Sequence, residues 1–178
     1  FAHGSGSSRH SPRNRTVAED LNRHGLGTLL FDLLTDRESE DRRNVFDIAL
    51  LGDRLVGATQ WLRDLPDTQG VDIAYFGAST GAGAALWAAA DPGCEVSAVV
   101  SRGGRPDLAA SRLPSVTAPT LLIVGGRDDV VIDLNRQAVE LLAGECSLEI
   151  VPGATHLFEE PGALDQVIDL ARTWFLDH

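Results

Sequence analysis

A serine hydroxyl is a weak nucleophile until a neighbouring base takes its proton, and that base works only when an acid fixes its tautomer. Gly77-Ala78-Ser79-Thr80-Gly81 offers such a serine in the pattern G-x-S-x-G, straight after an apolar run and straight before the small-residue stretch 81–90. A strand that turns sharply into a helix leaves no room for Cβ branches on either flank, which accounts for the glycines. Ser79 Oγ would stand clear of the strand end, and a helix opening at Thr80 would point free N–H groups at any oxyanion formed there. The same five residues could also be an ordinary tight turn, so the reading depends on partners.

Two downstream loops supply candidates. The apolar run Leu121–Val124 ends in Gly125-Gly126-Arg127-Asp128-Asp129, and Ser147–Val151 leads into Pro152-Gly153-Ala154-Thr155-His156. Each loop puts a titratable side chain just past the C-terminal end of a strand, the edge at which Ser79 stands. His156 is the expected base and Asp128 the expected acid. Asp129 is the fallback, since spacing does not separate adjacent residues, and either aspartate would also serve as a turn residue or helix cap. Of the remaining histidines, His24 falls at a helix end, His178 is terminal, and His3 and His10 precede the serine.

The elements that must position these residues follow from the alternation of apolar runs and helical stretches, a βαβ rhythm punctuated by Gly, Asp and Ser. Strands are expected at Thr28–Leu34, Val71–Phe76, Val96–Val100, Thr120–Val124 and Ser147–Val151, with Phe1-Ala2 as the stub of another. Helices are expected near Pro12–His24, Val45–Arg63, Thr80–Ala90, Leu134–Leu142 and Ala163–Leu176. The charged run Asp36–Arg43 reads as a solvated loop. The expected architecture is therefore α/β: a mostly parallel sheet of about six strands flanked by helices, in one domain over residues 1–178.

With these motifs in place, the sequence resembles an α/β-hydrolase of the dienelactone-hydrolase-like group. Gly77–Gly81 matches its nucleophile elbow, Gly125-x-x-Asp128 its acid loop and Gly153-Ala154-Thr155-His156 its base loop, and the likeness covers nearly the whole chain. It implies that Phe1-Ala2-His3-Gly4-Ser5-Gly6 is the segment supplying a second oxyanion N–H, at Ser5 beside that of Thr80, with His3 orienting the loop. The run 1–15 also resembles the start of a bacterial subgroup found alone or fused to a phosphoribosyltransferase. Three departures stand out. Dienelactone hydrolase itself has a cysteine nucleophile where this chain has Ser79. The first two strands of the fold are missing, as an N-terminal trim would explain. Segment 102–119 is too short for the helical lid of lipases, so an open site is expected.

Composition narrows the chemistry further. All fifteen basic residues are Arg, against 26 acidic ones, for a formal charge of −11. Without lysine there is no Schiff base, no Walker-A lysine and no Ser–Lys or Tyr–Lys pair. The acidic field argues against nucleic acid and anionic lipid partners, and no apolar stretch is long enough to span a membrane. Cys94 and Cys146 have no metal-ligand or redox spacing, which fits a cytoplasmic home and no metal or organic cofactor. Arg9, Arg13 and Arg15, with Arg102 and Arg105, fall in loops beside the serine. Arg9, Arg102 and Arg105 are candidate contacts for an anionic substrate unless they pair with neighbouring acids.

Two rival readings remain. Gly77–Gly83 also fits the phosphate loop of NAD-dependent short-chain dehydrogenases. Such enzymes carry it after their first strand and use a Tyr-x-x-x-Lys pair, and here lysine is absent and Tyr75 is the only tyrosine. A hydrolase-like module that binds a ligand or partner without catalysis is the alternative from another class. The favoured reading is a serine hydrolase acting on a small ester or thioester.

Overall fold

The computed structural model describes residues 1–178. In chain order the elements are α1 (Pro12–Arg23), α2 (Asp36–Ser39), α3 (Arg42–Val45), α4 (Ile48–Asp64), β1 (Tyr75–Ala78), α5 (Thr80–Ala89), β2 (Val99–Arg102), β3 (Thr120–Gly125), α6 (Asp129–Leu141), β4 (Cys146–Val151) and α7 (Ala163–Asp177), with 3₁₀ turns at Pro66–Thr68 and Pro106–Ser115. The strands pair in parallel in the order β1-β2-β3-β4. Ala2 adds one parallel bridge to Gly77 on the free side of β1.

Strand alternation explains the two layers. Tyr75, Val99 and Leu122 face a core shared with Leu51 and Leu55 of α4 and the alanines of α5. Their neighbours Phe76, Val100, Leu121 and Ile123 face the opposite core, built from Val17 and Leu21 of α1 and Val167, Ile168 and Ala171 of α7. A sheet covered on both faces needs apolar residues at consecutive positions, and β3, Thr120–Gly125, is buried throughout.

The parallel α/β architecture agrees with expectation, but the sheet has four strands, not about six. Thr28–Leu34 is not a strand. Its main chain meets the neighbouring segment through the Phe1 ammonium to the Leu29 carbonyl, 2.9 Å, and no ladder follows. A composition suited to a strand becomes one only beside a partner that repeats the contact. For the same reason β1 begins at Tyr75 rather than Val71, which is 60% exposed. The run Asp36–Arg43 is not loop but two single helical turns. Thr35 and Glu38 form a reciprocal capping box, the S/T-x-x-E signal that the charge pattern obscures.

The chain start is pinned against the helix that follows β1. A Cβ built on Gly81 would fall on the carbonyl oxygens of Ala2 and His3, and one on Gly77 would come within 2.5 Å of Ala82 Cα. These glycines let α5 cross the bridge and strand closely. No helix is long and apolar enough to cross a membrane. Cys94 is buried and Cys146 half-buried, both as free thiols.

Candidate active site

Ser79 sits between β1 and α5 with φ 52° and ψ −120°, one of two non-glycine residues at positive φ. Such a conformation costs on the order of 1–3 kcal/mol and persists only when its surroundings hold it. They do. Ser79 N donates to the Arg102 carbonyl at 3.1 Å, while its own carbonyl accepts from Ala82 N at 3.0 Å and Arg105 N at 3.2 Å. Although Ser79 is the N-cap of α5, its hydroxyl makes no capping bond and stays available.

His156 reaches this hydroxyl from the loop after β4, with Nε2 3.3 Å from Ser79 Oγ. Its Nδ1 lies 2.7 Å from Asp128 Oδ2. A carboxylate can only accept, so Nδ1 carries the proton and Nε2 presents its lone pair to the serine O–H. Asp128, rather than Asp129, makes this contact. Asp128 caps α6 through its main chain and leaves its side chain free, whereas Asp129 is already the first helical residue.

The two loops are laced together. Gly126 N donates to Val151 O at 2.8 Å and Arg127 N to Ala154 O at 2.9 Å. At Gly125 a Cβ would lie 2.6 Å from the Ala154 and Thr155 carbonyl oxygens. Two supports escaped the sequence reading. Glu160 accepts from Thr155 N at 3.1 Å, and these Thr155 hydrogen bonds hold its carboxyl below the usual range. Gly103, at φ +52°, adopts a backbone conformation that favours glycine, and a Cβ there would press to 3.3 Å on the His156 carbonyl oxygen. The Gly103-Gly104 pair after an apolar strand was the signal for the second.

The oxyanion side is less simple than expected. Thr80 is the first residue of α5, so its main-chain N–H has no intrahelical acceptor. The Ser5 N–H, however, donates to Thr80 Oγ1 at 2.8 Å instead of standing free. The sequence reading used only the main chain of Thr80 and missed the hydroxyl. His3 does orient this segment: its Nε2 accepts from Leu33 N at 3.1 Å, which leaves Nδ1–H to donate to Gly4 O at 3.0 Å. Gly4 lies against the turn, where a Cβ would stand 3.1 Å from Ser79 Cβ. A cavity of about 330 Å³ opens beside it, lined by His3, Ser5, Ser7, Asp32 and Thr80. Neither this cavity nor a larger groove of about 670 Å³, near Phe1, Phe31 and Tyr75, is lined by Ser79, Asp128 or His156.

The arginines divide. Arg9 pairs with Asp32, and Arg105 forms a two-pronged pair with Asp107 at 2.8 and 2.7 Å, so neither is a free cation. Arg102 is buried without a partner for its Nη1. The site is open: the His156 side chain is 38% exposed. The 3₁₀ segment Pro106–Ser115 packs on α5 and α6 and supplies no helical lid. No group of three or more His, Cys, Asp or Glu side chains is placed to hold a metal ion.

No protein-family model matches the chain. A crystal structure of dienelactone hydrolase from Anabaena variabilis is 62% identical, with a TM-score of 0.97 over 100% of this chain and 84% of that one. Est1E from Butyrivibrio proteoclasticus shares the fold at 16% identity, TM-score 0.81, over 98% of this chain and 85% of that one. A Mycobacterium tuberculosis protein whose name provisionally makes it a phosphoribosyl transferase is 66% identical over 178 residues. The match takes in all of this chain but spans only 40% of that relative's length.

Proposed function

The chain belongs to the dienelactone-hydrolase-like group of the α/β-hydrolase superfamily, and from that premise we propose that it is a serine hydrolase cleaving a small ester or thioester. Ser79 Oγ attacks the acyl carbonyl as His156 Nε2 takes its proton, and Asp128 steadies the imidazolium. The Thr80 N–H stabilises the oxyanion. The Ser5 N–H joins it once the Thr80 hydroxyl turns away. The leaving group takes the proton from His156, and water then repeats the sequence in reverse to release the acid. The observation that carries this reading is the pair of contacts on one imidazole, 2.7 Å to Asp128 and 3.3 Å to Ser79. Backbone strain concentrated at Ser79 supports it.

The proposal concerns this segment alone; the transferase name belongs to a relative in which the matching part is 40% of the length. The competing reading is a binding module that keeps the fold without the reaction. A fluorophosphonate probe separates the two. If the hydroxyl is activated, Ser79 Oγ forms an O–P bond, fluoride leaves, and the protein gains the probe's mass at that residue. A folded protein left unlabelled under conditions that saturate a control serine hydrolase favours the module.

A further inference from the structure

Arg102 closes β2, and strand alternation puts its side chain on the same face as Val100, the face covered by α1 and α7. The residue is only 8% exposed, and its Nη1 is buried without any hydrogen-bond partner. No carboxylate meets its Nη1. Its pKa is pushed down to about 10 by burial and then by the like charge of Arg13. Arg13, in the first turn of α1, gives Nη1 to the exposed Glu159 at 3.0 Å and keeps its Nε buried and unpartnered. Beside it Asn14 is 3% exposed with an unpartnered Oδ1, one helical turn before Val17 on the side of α1 that meets the sheet.

Burying a guanidinium without an anion is strongly unfavourable, and placing a second one nearby makes it worse. An oxyanion reverses both terms, because its oxygens accept several N–H bonds and its charge offsets the two cations. We propose that the buried junction between the first turn of α1 and the end of β2 is a binding site for an oxyanion, a phosphate or carboxylate group, gripped by Arg102 and Arg13. The site adjoins the candidate catalytic cluster. The Arg102 carbonyl accepts the Ser79 N–H, and Glu159 lies three residues beyond His156. The oxyanion is either free in solution or carried by a substrate held at Ser79.

Thermal unfolding in inorganic phosphate, against chloride at matched ionic strength, tests the site without reference to catalysis. Phosphate a hundredfold above its Kd is expected to raise the wild-type Tm by about 5–10 °C. The shift should vanish in Arg102→Met and shrink in Arg13→Gln, which alters a partly exposed side chain and serves should the first variant fold poorly. No wild-type shift, or an equal shift in both variants, overturns the proposal. Ester pairs distinguish the sources. With p-nitrophenyl hemisuccinate and p-nitrophenyl acetate, a substrate-borne oxyanion predicts a kcat/KM ratio that falls about tenfold or more in Arg102→Met. A free anion leaves that ratio unmoved in Arg102→Met although the variant has lost the phosphate shift that the wild type shows, and either result places an oxyanion at Arg102. Loss of all ester turnover with the phosphate shift intact would count against the hydrolytic reading and leave this site standing.

Discussion

Ser79→Ala is expected to lower kcat/KM for any ester the protein turns over by about 10⁴-fold or more. That factor corresponds to roughly 5 kcal/mol of transition-state stabilisation. It is large because His156 has nothing to deprotonate once Oγ is gone, so the members of the cluster fail together. The fold should be little affected. An N-cap serine replaced by alanine ordinarily costs about 1 kcal/mol through the lost capping bond, but the Ser79 hydroxyl makes no such bond here. The main-chain bonds that hold the turn, to Arg102, Ala82 and Arg105, do not involve the side chain. Steady-state kinetics beside a urea unfolding curve check both halves. Near-wild-type turnover in a folded variant would remove Ser79 from the mechanism.

Asp128→Asn is expected to cost about 10⁴-fold as well, by a different route. The 2.7 Å contact to His156 Nδ1 survives in length, but an amide can present N–H where the carboxylate could only accept. The imidazole then loses the preference that leaves its Nε2 lone pair facing Ser79, and the charge that stabilised the imidazolium is gone. Asp129→Asn is the control one residue away. It opens α6 and does not meet the imidazole, so its loss should stay within a few fold, an effect of the helix dipole alone. Should Asp129→Asn abolish turnover while Asp128→Asn leaves it intact, the acid has been assigned to the wrong neighbour.

The proximity of Ser79, Asp128 and His156 was legible because each lies in a loop that ends an apolar run of a parallel sheet, and parallel strands bring such loops to one edge. The two buried faces were legible for the same reason, since β3 is apolar at consecutive positions. Side-chain bonds between distant segments were not. That Thr80 Oγ1 takes the Ser5 N–H depends on how residues 75 apart meet, and neither local pattern encodes it. Spacing could not divide the arginines either. Arg9 and Arg105 find carboxylates, whereas Arg102 turns inward with strand alternation and finds none. Element ends erred where pairing decides them: Thr28–Leu34 has the composition of a strand without a ladder partner, and Val71–Ala74 makes a single main-chain bond to the segment leading into β2, from Ser97 N to Ile73 O, before the ladder with β2 starts at Tyr75.

The central claim is that one hydroxyl, made reactive by one imidazole, carries the acyl group between substrate and water. Rapid acid quench during turnover of a chromogenic ester, followed by peptide mass analysis, tests it most directly. The account predicts a burst of released alcohol equal to the enzyme concentration and an acyl mass on the peptide containing Gly77–Gly81, localised to Ser79. Ester consumed with the acyl group on another residue, or with no acylated peptide under conditions that trap a control acyl-enzyme, would contradict it.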